Sequence, residues 1–565
     1  MNKKIICILS ILSACYFQYT NTSDECCSDL VKNCNYGKNL WQPRPFSSYG
    51  AREVLLLKDL YDHPFKHDEW DGTISIATEY MKSLQKSDGS DNLGAMPFWS
   101  ETNSMIIGNN DGTADLDAYQ FGMGNVSKQG AITLNPKVRQ VGSDIILHFT
   151  RYKHDRGFFF KLRAPVGAMS IKSELCEAPA ELENAVDQAW LMYPPVGDRY
   201  ETLSQAFAGG SATESVVNTS LNKSLALNSG KISCCELTSV RLGDLTGVLG
   251  FNFFADEHYH LSLGIKTSCP TGTVPTGEFV FEPIFGRAGH WAAGLEFTAH
   301  YKHWVNEDEA KAIDIWIQSD LLHLYSGRRP SWRSFDLKKN GPGSKYMLVQ
   351  FYFAGNPPTV PSGPADNGRT PSFVTQAINV TTMPVLSSFN LEGNLSTVIE
   401  YSKKNWNMSF GVDIWGRTKE CLQFDHCNIA NLDAANLNDF AVLGRQISED
   451  ATDPGNIEPL YYCDPCAQIN KSHNRVLFGD TPPSGVKDAR LYQNRIPENL
   501  YDALDVSGAI EGRVISTKVS CSGGYAWKKK KYSPAINIFV GFEMTSYDSL
   551  RLNMWSVGFN GSLNF

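Results

Sequence analysis

Several features that mark other protein classes are missing from this chain of 565 residues. After the leader, no stretch approaches the ~20 apolar residues that a membrane-spanning helix needs, which excludes a helical protein with many spans. No part of the chain concentrates lysine and arginine enough to propose nucleic-acid binding, and the formal charge is −9, so we expect no nucleic-acid partner. GxSxG, HExxH, P-loop and dinucleotide-binding motifs are also absent from the sequence. We therefore predict no enzymatic activity, no bound metal and no cofactor.

The amino terminus has the charge order of a secretory signal. Lys3 and Lys4 precede an apolar run from Ile5 to Cys15, which is too short for a comfortable spanning helix. We assign residues 1–20 to a signal peptide that a general signal peptidase would cut in the twenties. Alternatively, Leu12–Cys15 has the form of a bacterial lipobox, in which Cys15 would be acylated and become the new first residue.

The chain is rich in period-2 alternation, in segments of about 8–12 residues. Near the end of the chain, Trp555, Val557 and Phe559 alternate with Ser556 and Asn560. The same pattern runs through the stretches TISIATEY, YHLSLGIK, AAGLEFTAHYK, WNMSFGVDIW and INIFVGFEM. These segments have the length with which a tilted strand crosses the hydrocarbon layer of a bilayer.

Two architectures fit this alternation. In a soluble sandwich the apolar faces would pack against each other, whereas in a transmembrane barrel they would face lipid. Segment length, and Tyr or Trp repeated at segment ends, favour the barrel. We therefore predict an all-β fold, an antiparallel transmembrane β-barrel of roughly 14–18 strands over residues 72–565. A periplasmic or lumenal extension at residues 21–71 would precede it.

The predicted connections are uneven in length. Long loops near 177–235 and 418–475 contrast with brief turns elsewhere, as expected when short turns lie at one rim and extracellular loops at the other. Within the long loops, residues 180–192 and 431–446 carry apolar side chains at helical spacing. We predict short helical insertions there.

Phe565 ends the chain on an alternating strand. A barrel whose last strand pairs with its first has no free edge, so such a terminus can lie within the ladder. A terminal Phe resembles the carboxyl signature through which the barrel-assembly machinery recognises outer-membrane proteins, and we predict that Phe565 is an assembly signal. Asn560 stands where that signature usually has glycine.

Two stretches resemble a known group of proteins. PRPFSSYGARE, at 43–53, and the region 256–348, which includes GTVPTGEFVFEPIFGRAGHWAAGLEF and RSFDLKKNGPGSKYML, are similar to large porin-like β-barrel outer-membrane proteins of gram-negative bacteria that live inside protozoa. The resemblance implies a barrel in the bacterial outer membrane. It implies neither a transported solute nor catalytic residues.

If the apolar faces point to lipid, the opposite faces point to the lumen. A cation facing hydrocarbon at the bilayer midplane would cost ~2–4 kcal/mol, which favours the inward assignment of charged residues. The predicted pore-lining residues are His260, Lys266, Glu296, His300, Lys302, Asp314, Glu400, Asp413 and Glu543. Such charges could set the selectivity of a channel, or they could pair across the lumen and hold the wall.

The 14 cysteines predict disulfides, because exported proteins fold in an oxidising compartment. The candidates by spacing are Cys421 with Cys427 and Cys463 with Cys466. The CxxC spacing also fits a zinc knuckle, but no second CxxC completes a set of four ligands.

From these observations we expect a porin-like channel in the bacterial outer membrane that passes small hydrophilic solutes by diffusion. The alternative is a cysteine-rich structural or adhesive surface protein anchored by a barrel. The expected partners are outer-membrane lipid and lipopolysaccharide, the barrel-assembly machinery, and further copies of the chain in a trimer or linked by disulfides.

Overall fold

The structure is a computed structural model that describes most of the chain between residues 42 and 564. The described ranges are 42–61, 70–84, 104–108, 114–121, 126–153, 155–178, 181–182, 202–209, 227–256, 258–306, 310–327, 329–338, 340–354, 369–425, 440–446, 460–463, 503–527, 533–545 and 553–564.

Twelve antiparallel strands close into a barrel. They are β1 (Trp70–Ser83), β2 (Lys137–Lys153), β3 (Arg156–Lys172), β4 (Leu245–Ala255), β5 (Tyr259–Cys269), β6 (Trp291–Val305), β7 (Lys311–Tyr325), β8 (Thr382–Lys403), β9 (Trp406–Arg417), β10 (Val514–Ala526), β11 (Ser533–Thr545) and β12 (Met554–Asn564). The last strand pairs with the first, with Asn564 opposite Thr73, so no edge is left. The all-β antiparallel barrel is thus confirmed.

The wall has fewer strands than the 14–18 that we expected. The expectation divided the chain length among strands, but long stretches between strands lie at one end of the barrel instead. One such stretch contributes Leu237–Leu242, which pairs with β3 above β4 and extends the wall there.

The two ends of the barrel differ in their connections. At one end, turns such as 154–155, 256–258 and 404–405 join neighbouring strands, and we call it the short-turn end. At the other end, which we call the long-loop end, the connections include 173–244 and 418–513.

Small sheets and short helices lie outside the barrel wall, in the long connections. One sheet joins Ser104–Gly108, Leu116–Asp117, Gly130–Thr133 and Cys176–Ala178, and another joins Leu348–Ala354, Arg369–Gln376, Phe440–Gln446 and Leu460–Cys463. Further strands of the connections are Val126–Lys128, Glu181–Leu182, Asp336–Leu337 and Leu504–Asp505, whereas Ser331–Ser334 and Glu420–Phe424 pair with β8 and extend the wall. The helical segments are Ala118–Phe121, Leu203–Phe207, Ile378–Thr381 and Val506–Ala509, with a 3-10 turn at Ser344–Tyr346; a second 3-10 turn, Phe46–Ser48, precedes β1 and does not belong to these connections. None of the helices in the described ranges is long and apolar enough to cross a membrane.

The predicted loop helices are not found where the structure describes those residues. Phe440–Gln446 is a strand that pairs with residues 349–351, so a helix over 431–446 is wrong at its carboxyl end. Pairing with a neighbouring strand outweighed an apolar spacing that both structures can accommodate. Of 180–192, Glu181–Leu182 forms a short strand, and residues 183–192 lie outside the described ranges.

The outer face of the wall is apolar. Leu249, Ile538 and Phe559 are 64%, 63% and 54% exposed, whereas the intervening side chains are buried. On β12 the buried set is Ser556, Asn560, Ser562 and Asn564. The sandwich alternative is therefore wrong, because its apolar faces would be buried and its polar faces exposed.

Exposed aromatic side chains lie at both ends of this apolar band. Trp70, Tyr259 and Trp406 are more than half exposed near the short-turn end, and Trp291 and Tyr325 oppose each other at the long-loop end. Aromatic rings at these two levels suit the interfaces of a bilayer, where an apolar body and a polar edge are both accommodated.

The helix Gly50–Tyr61, α1, lies inside the barrel. Its sequence GAREVLLLKDLY is rich in good helix formers. Its first turn packs against β8, since a Cβ added at Gly50 would lie 2.2 Å from Asn394 Nδ2. Ala51 and Val54 pack with inward-facing side chains of the wall, including Ala77 and Trp316.

Candidate functional site

The candidate site is the lumen together with the chain segment that fills it, residues 42–55, which we call the inserted segment. This segment runs lengthwise through the barrel. Gln42 accepts a hydrogen bond from Arg417, at the long-loop end of β9, at 3.0 Å. Farther along, the Leu55 carbonyl accepts one from Asn560 of β12 at 3.1 Å. The segment therefore descends from the long-loop end towards the short-turn end.

Arg44 and Tyr49 fasten the upper part of the inserted segment. Arg44 donates to Asp413 at 2.8 Å and lies 3.5 Å from Glu543. The Tyr49 hydroxyl donates to Glu543 at 2.7 Å, and its ring lies 4.1 Å from the Arg44 guanidinium carbon. All four side chains are buried, so their polar and charged groups interact with one another instead of with water.

Arg52 and Glu53 connect the helix α1 to the opposite part of the wall. Arg52 pairs with Glu79 of β1 at 2.6 Å and with Asp144 of β2 at 3.2 Å. Glu53 pairs with Arg163 of β3 at 2.7 Å. These two neighbouring residues carry opposite charges and reach opposite charges on three strands, which fixes the rotation of the helix.

The wall continues this network beyond the inserted segment. Glu53 also pairs with Lys161, and Lys161 in turn pairs with Glu296 of β6. Lys266 of β5 then lies 3.0 Å from Glu296 and 2.9 Å from Asp320 of β7. A chain of alternating charges thus runs around about half of the lumen with the inserted segment as a member.

Apolar packing occupies part of the lumen nearer the long-loop end. The rings of Phe46 and Phe285 stack with centroids 5.6 Å apart, and Phe285 belongs to the connection between β5 and β6. Arg287 of the same connection donates to Ser47 at 3.1 Å and to Glu392 at 2.8 Å. Two parts of the chain that are far apart in sequence therefore meet inside the barrel.

Two buried histidines, His260 and His300, face the lumen near the short-turn end. His260 Nε2 lies 2.9 Å from Asn252 Oδ1 on β4, and His300 Nε2 lies 2.9 Å from Asp314 Oδ1 on β7. The His300 ring stacks on Trp316 at 3.9 Å. In the described ranges no group of three or more His, Cys, Asp or Glu residues is arranged to hold a metal ion.

Eight of the nine predicted pore-lining side chains are buried on the inner face of the wall. They are His260, Lys266, Glu296, His300, Asp314, Glu400, Asp413 and Glu543. Lys302 is half-buried, beside a bulge in the pairing of β6 with β7. Lys266, Glu296, Asp413 and Glu543 join the charge network. Whether any of the nine lines an open pore stays a prediction.

The cysteine and terminal predictions fall largely outside the described ranges. Cys427, Cys466 and Phe565 are not described, nor is the side chain of Cys463. Cys421 is exposed and forms no disulfide among the described cysteines. Cys234 and Cys235 are likewise exposed and form no disulfide among the described cysteines. Partial burial of the Cys234 thiol, together with nearby Cys235 and Glu177, raises its pKa.

The sequence reasoning missed the inserted segment's charged residues and several of their partners. Those it did not single out are Arg44, Arg52, Glu53, Glu79, Asp144, Lys161 and Arg163. For the wall residues a signal existed, because each falls on the polar side of an alternating strand. For the inserted segment no periodicity marks which residues reach the wall.

The chain is therefore a closed antiparallel barrel with an apolar exterior and a charged lumen occupied by its own amino-terminal segment. No family model and no curated protein matches it. Its resemblance to proteins of protozoa-dwelling bacteria stays a prediction.

Solved structures with a similar architecture are outer-membrane proteins. An outer membrane channel from Pseudomonas putida F1 shares 8% identity with a TM-score of 0.34, over 89% of this chain and 98% of that one. The TodX monoaromatic hydrocarbon channel, as a deletion mutant, shares 8% with a TM-score of 0.28, over 88% and 90%. A FadL homologue of Pseudomonas aeruginosa shares 8% with a TM-score of 0.24, over 88% and 90%. With TM-scores this low, none of these likenesses bears on solute or mechanism.

Proposed function

We propose that this protein is a channel of the bacterial outer membrane that is closed by its inserted segment and passes small hydrophilic solutes when that segment shifts. The supporting observation is the contrast between an apolar exterior and a lumen whose charges pair with a segment that is not part of the wall. A barrel with this exterior is stable only where lipid covers it.

Two features of the lumen support transport of polar solutes. Its side chains are predominantly polar or charged, as in channels that hold water. The segment is held largely by buried ion pairs, which contribute little net stability compared with apolar packing of similar size. Its displacement therefore exchanges protein partners for water at a modest free-energy cost.

A reversible cross-link tests whether the inserted segment is the gate. A Cβ added at Gly411 of β9 would lie 3.6 Å from Ala51 Cβ, within the range for a disulfide. It would also meet Ser520 Oγ at 2.8 Å, a side chain that can rotate away. We expect Ala51→Cys/Gly411→Cys to show no channel openings in planar bilayers when oxidised, and wild-type openings after reduction.

The single variants Ala51→Cys and Gly411→Cys serve as matched controls, because each retains the native cysteines and lacks the new bond. We expect both to conduct as wild type under oxidising and reducing conditions. Openings that persist in the oxidised double variant, with the cross-link verified by mass spectrometry, would show that solutes pass without movement of the segment.

A surface-anchor function is the second candidate, and the folded region at the long-loop end favours it. Phe121, Phe207 and Tyr346 from three connections pack together there, with ring centroids 4.7 to 6.4 Å apart. Absence of conductance in wild type and in the reduced double variant, with a folded barrel by circular dichroism, would favour this candidate over the channel.

A further inference from the structure

We propose that Lys82, Lys137, Arg139 and Lys172 form a binding site for the phosphate groups of lipopolysaccharide on the outer face of the barrel wall. We call these four residues the rim cations. The proposal rests on the proposed function and places the long-loop end, with the long loops outside the cell, at the outer leaflet.

The pairing register brings the rim cations together. Lys82 of β1 lies directly opposite Arg139 of β2, and Lys137 of β2 lies directly opposite Lys172 of β3. Residues opposite each other in an antiparallel pair have Cβ atoms about 4.5–5.5 Å apart. All four stand on the exposed side of their strands, in step with the exposed Val141 and Val166. They therefore form one patch across three neighbouring strands.

The patch lies at the height expected of lipid headgroups. Lys82 is also opposite Trp555 of β12, whose ring packs against Tyr80 with centroids 5.6 Å apart. Val141 and Val166, each over 40% exposed, lie on the bilayer side of the patch. The cations thus lie at the boundary between the apolar band and the long loops, where phosphates of the outer leaflet are found.

The charge of the patch is only partly balanced by its neighbours. Glu174 pairs with Lys137 and lies 3.6 Å from Lys172, and Glu236 pairs with Arg139. Among the described residues this leaves four cations with two carboxylates. Like charges directly opposite each other across two strands are unfavourable, so an added anion would relieve the repulsion. Phosphate groups are the anions that Arg and Lys bind best in this geometry.

Strands β6 and β7 carry different side chains from β1 to β3 at the height of the rim cations. Trp291 and Tyr325 oppose each other across β6 and β7 where the rim cations stand on β1 to β3. Their side chains are 43% and 49% exposed. At this height β6 and β7 therefore carry aromatic rings where β1 to β3 carry cations, which distinguishes the rim cations from this other sector of the rim.

The test measures binding of purified lipid A to the full chain in detergent by native mass spectrometry. The test variant is Lys82→Gln/Lys137→Gln/Arg139→Gln/Lys172→Gln. The matched control replaces four exposed cations of the short-turn end, Arg151→Gln/Lys153→Gln/Arg156→Gln/Lys403→Gln. We expect roughly tenfold or greater loss of affinity in the test variant, and little change in the control.

Two further ligands separate the possible sources of phosphate. We expect dephosphorylated lipid A to bind wild type as weakly as phosphorylated lipid A binds the test variant, and phosphatidylglycerol, with its single phosphate, to lose less affinity in the test variant than lipid A does. Equal loss in test and control variants, or equal binding of dephosphorylated lipid A, would overturn the proposal. Conductance is recorded separately, so a barrel that conducts without binding lipid A would refute this site alone.

Discussion

The two faces of the barrel wall differ in their environment, although the same strands form both: the outer face exposes apolar side chains and the inner face buries charged ones. On the outer face Ile538 and Phe559, neighbours across β11 and β12, expose apolar surface that needs lipid. On the inner face Glu79 and Asp413 are fully buried charges that need partners. The difference teaches that outward positions tolerate any apolar residue of fitting size, whereas inward positions depend on one specific partner.

The largest effect is expected on the inner face. Glu79→Ala leaves Arg52 and Lys518 buried without their shared carboxylate, which should lower the free energy of unfolding by about 3–5 kcal/mol. Urea unfolding in detergent measures it. Glu174→Ala removes a carboxylate from a more exposed pair at the rim and should cost less than about 1 kcal/mol. Equal losses in the two variants would contradict the contrast between buried and exposed pairs.

A charge on the outer face should have the next largest effect. Ile538→Lys places an ammonium group in the apolar band at the middle of β11 and should cost about 2–4 kcal/mol in a lipid bilayer. Ile538→Leu is the control and should cost less than about 1.5 kcal/mol. If lysine were tolerated as well as leucine in bilayers, this face would meet water instead of lipid.

Substitution of an aromatic residue at the edge of the apolar band should change the free energy of unfolding less. Trp555→Ala removes the ring that packs on Tyr80 and should cost roughly 1 kcal/mol beyond the loss of apolar area. Tyr80→Phe keeps the ring pair and should change the free energy of unfolding much less. The comparison is made by unfolding in lipid vesicles, and a larger effect of Tyr80→Phe would refute the role of the ring contact.

The smallest effect is expected at Cys521, an exposed side chain of β10 flanked by Phe410 and Val540. Cys521→Ser should change stability by no more than about 0.5 kcal/mol. In vesicles, a charged maleimide should leave Cys521 unlabelled yet label Cys235 at the long-loop end. Mass spectrometry of peptides reads both sites, and equal labelling would place Cys521 in water.

Alternation was sufficient to predict which residues of the wall face outward. Leu263, Met408 and Val540 are exposed as their stretches predict, because a period of two leaves each side chain one choice of face. Strand number was overestimated, since the expectation divided the chain length among strands, whereas much of that length belongs to long connections that contain short strands such as Leu348–Ala354.

The contacts that the inserted segment makes in the lumen could not be predicted in the same way. Arg44 and Asp413 are 369 positions apart, and no local pattern links them. The stretch 43–53 attracted attention through its resemblance to other barrels, but its contacts depend on how the closed wall brings β1, β2, β3 and β9 around it. Such contacts are properties of the closed barrel and are not encoded within any single segment.

The direction of the inserted segment has a mechanical consequence. The helix α1 continues from the inserted segment to Tyr61, and the eight residues 62–69 join it to Trp70 of β1. Eight residues span at most about 29 Å when fully stretched. A segment linked in this way stays attached to the barrel. Its return to the lumen after a displacement is an intramolecular event, whose rate does not depend on the protein concentration. Under the proposed function, closing of the channel therefore needs no second molecule.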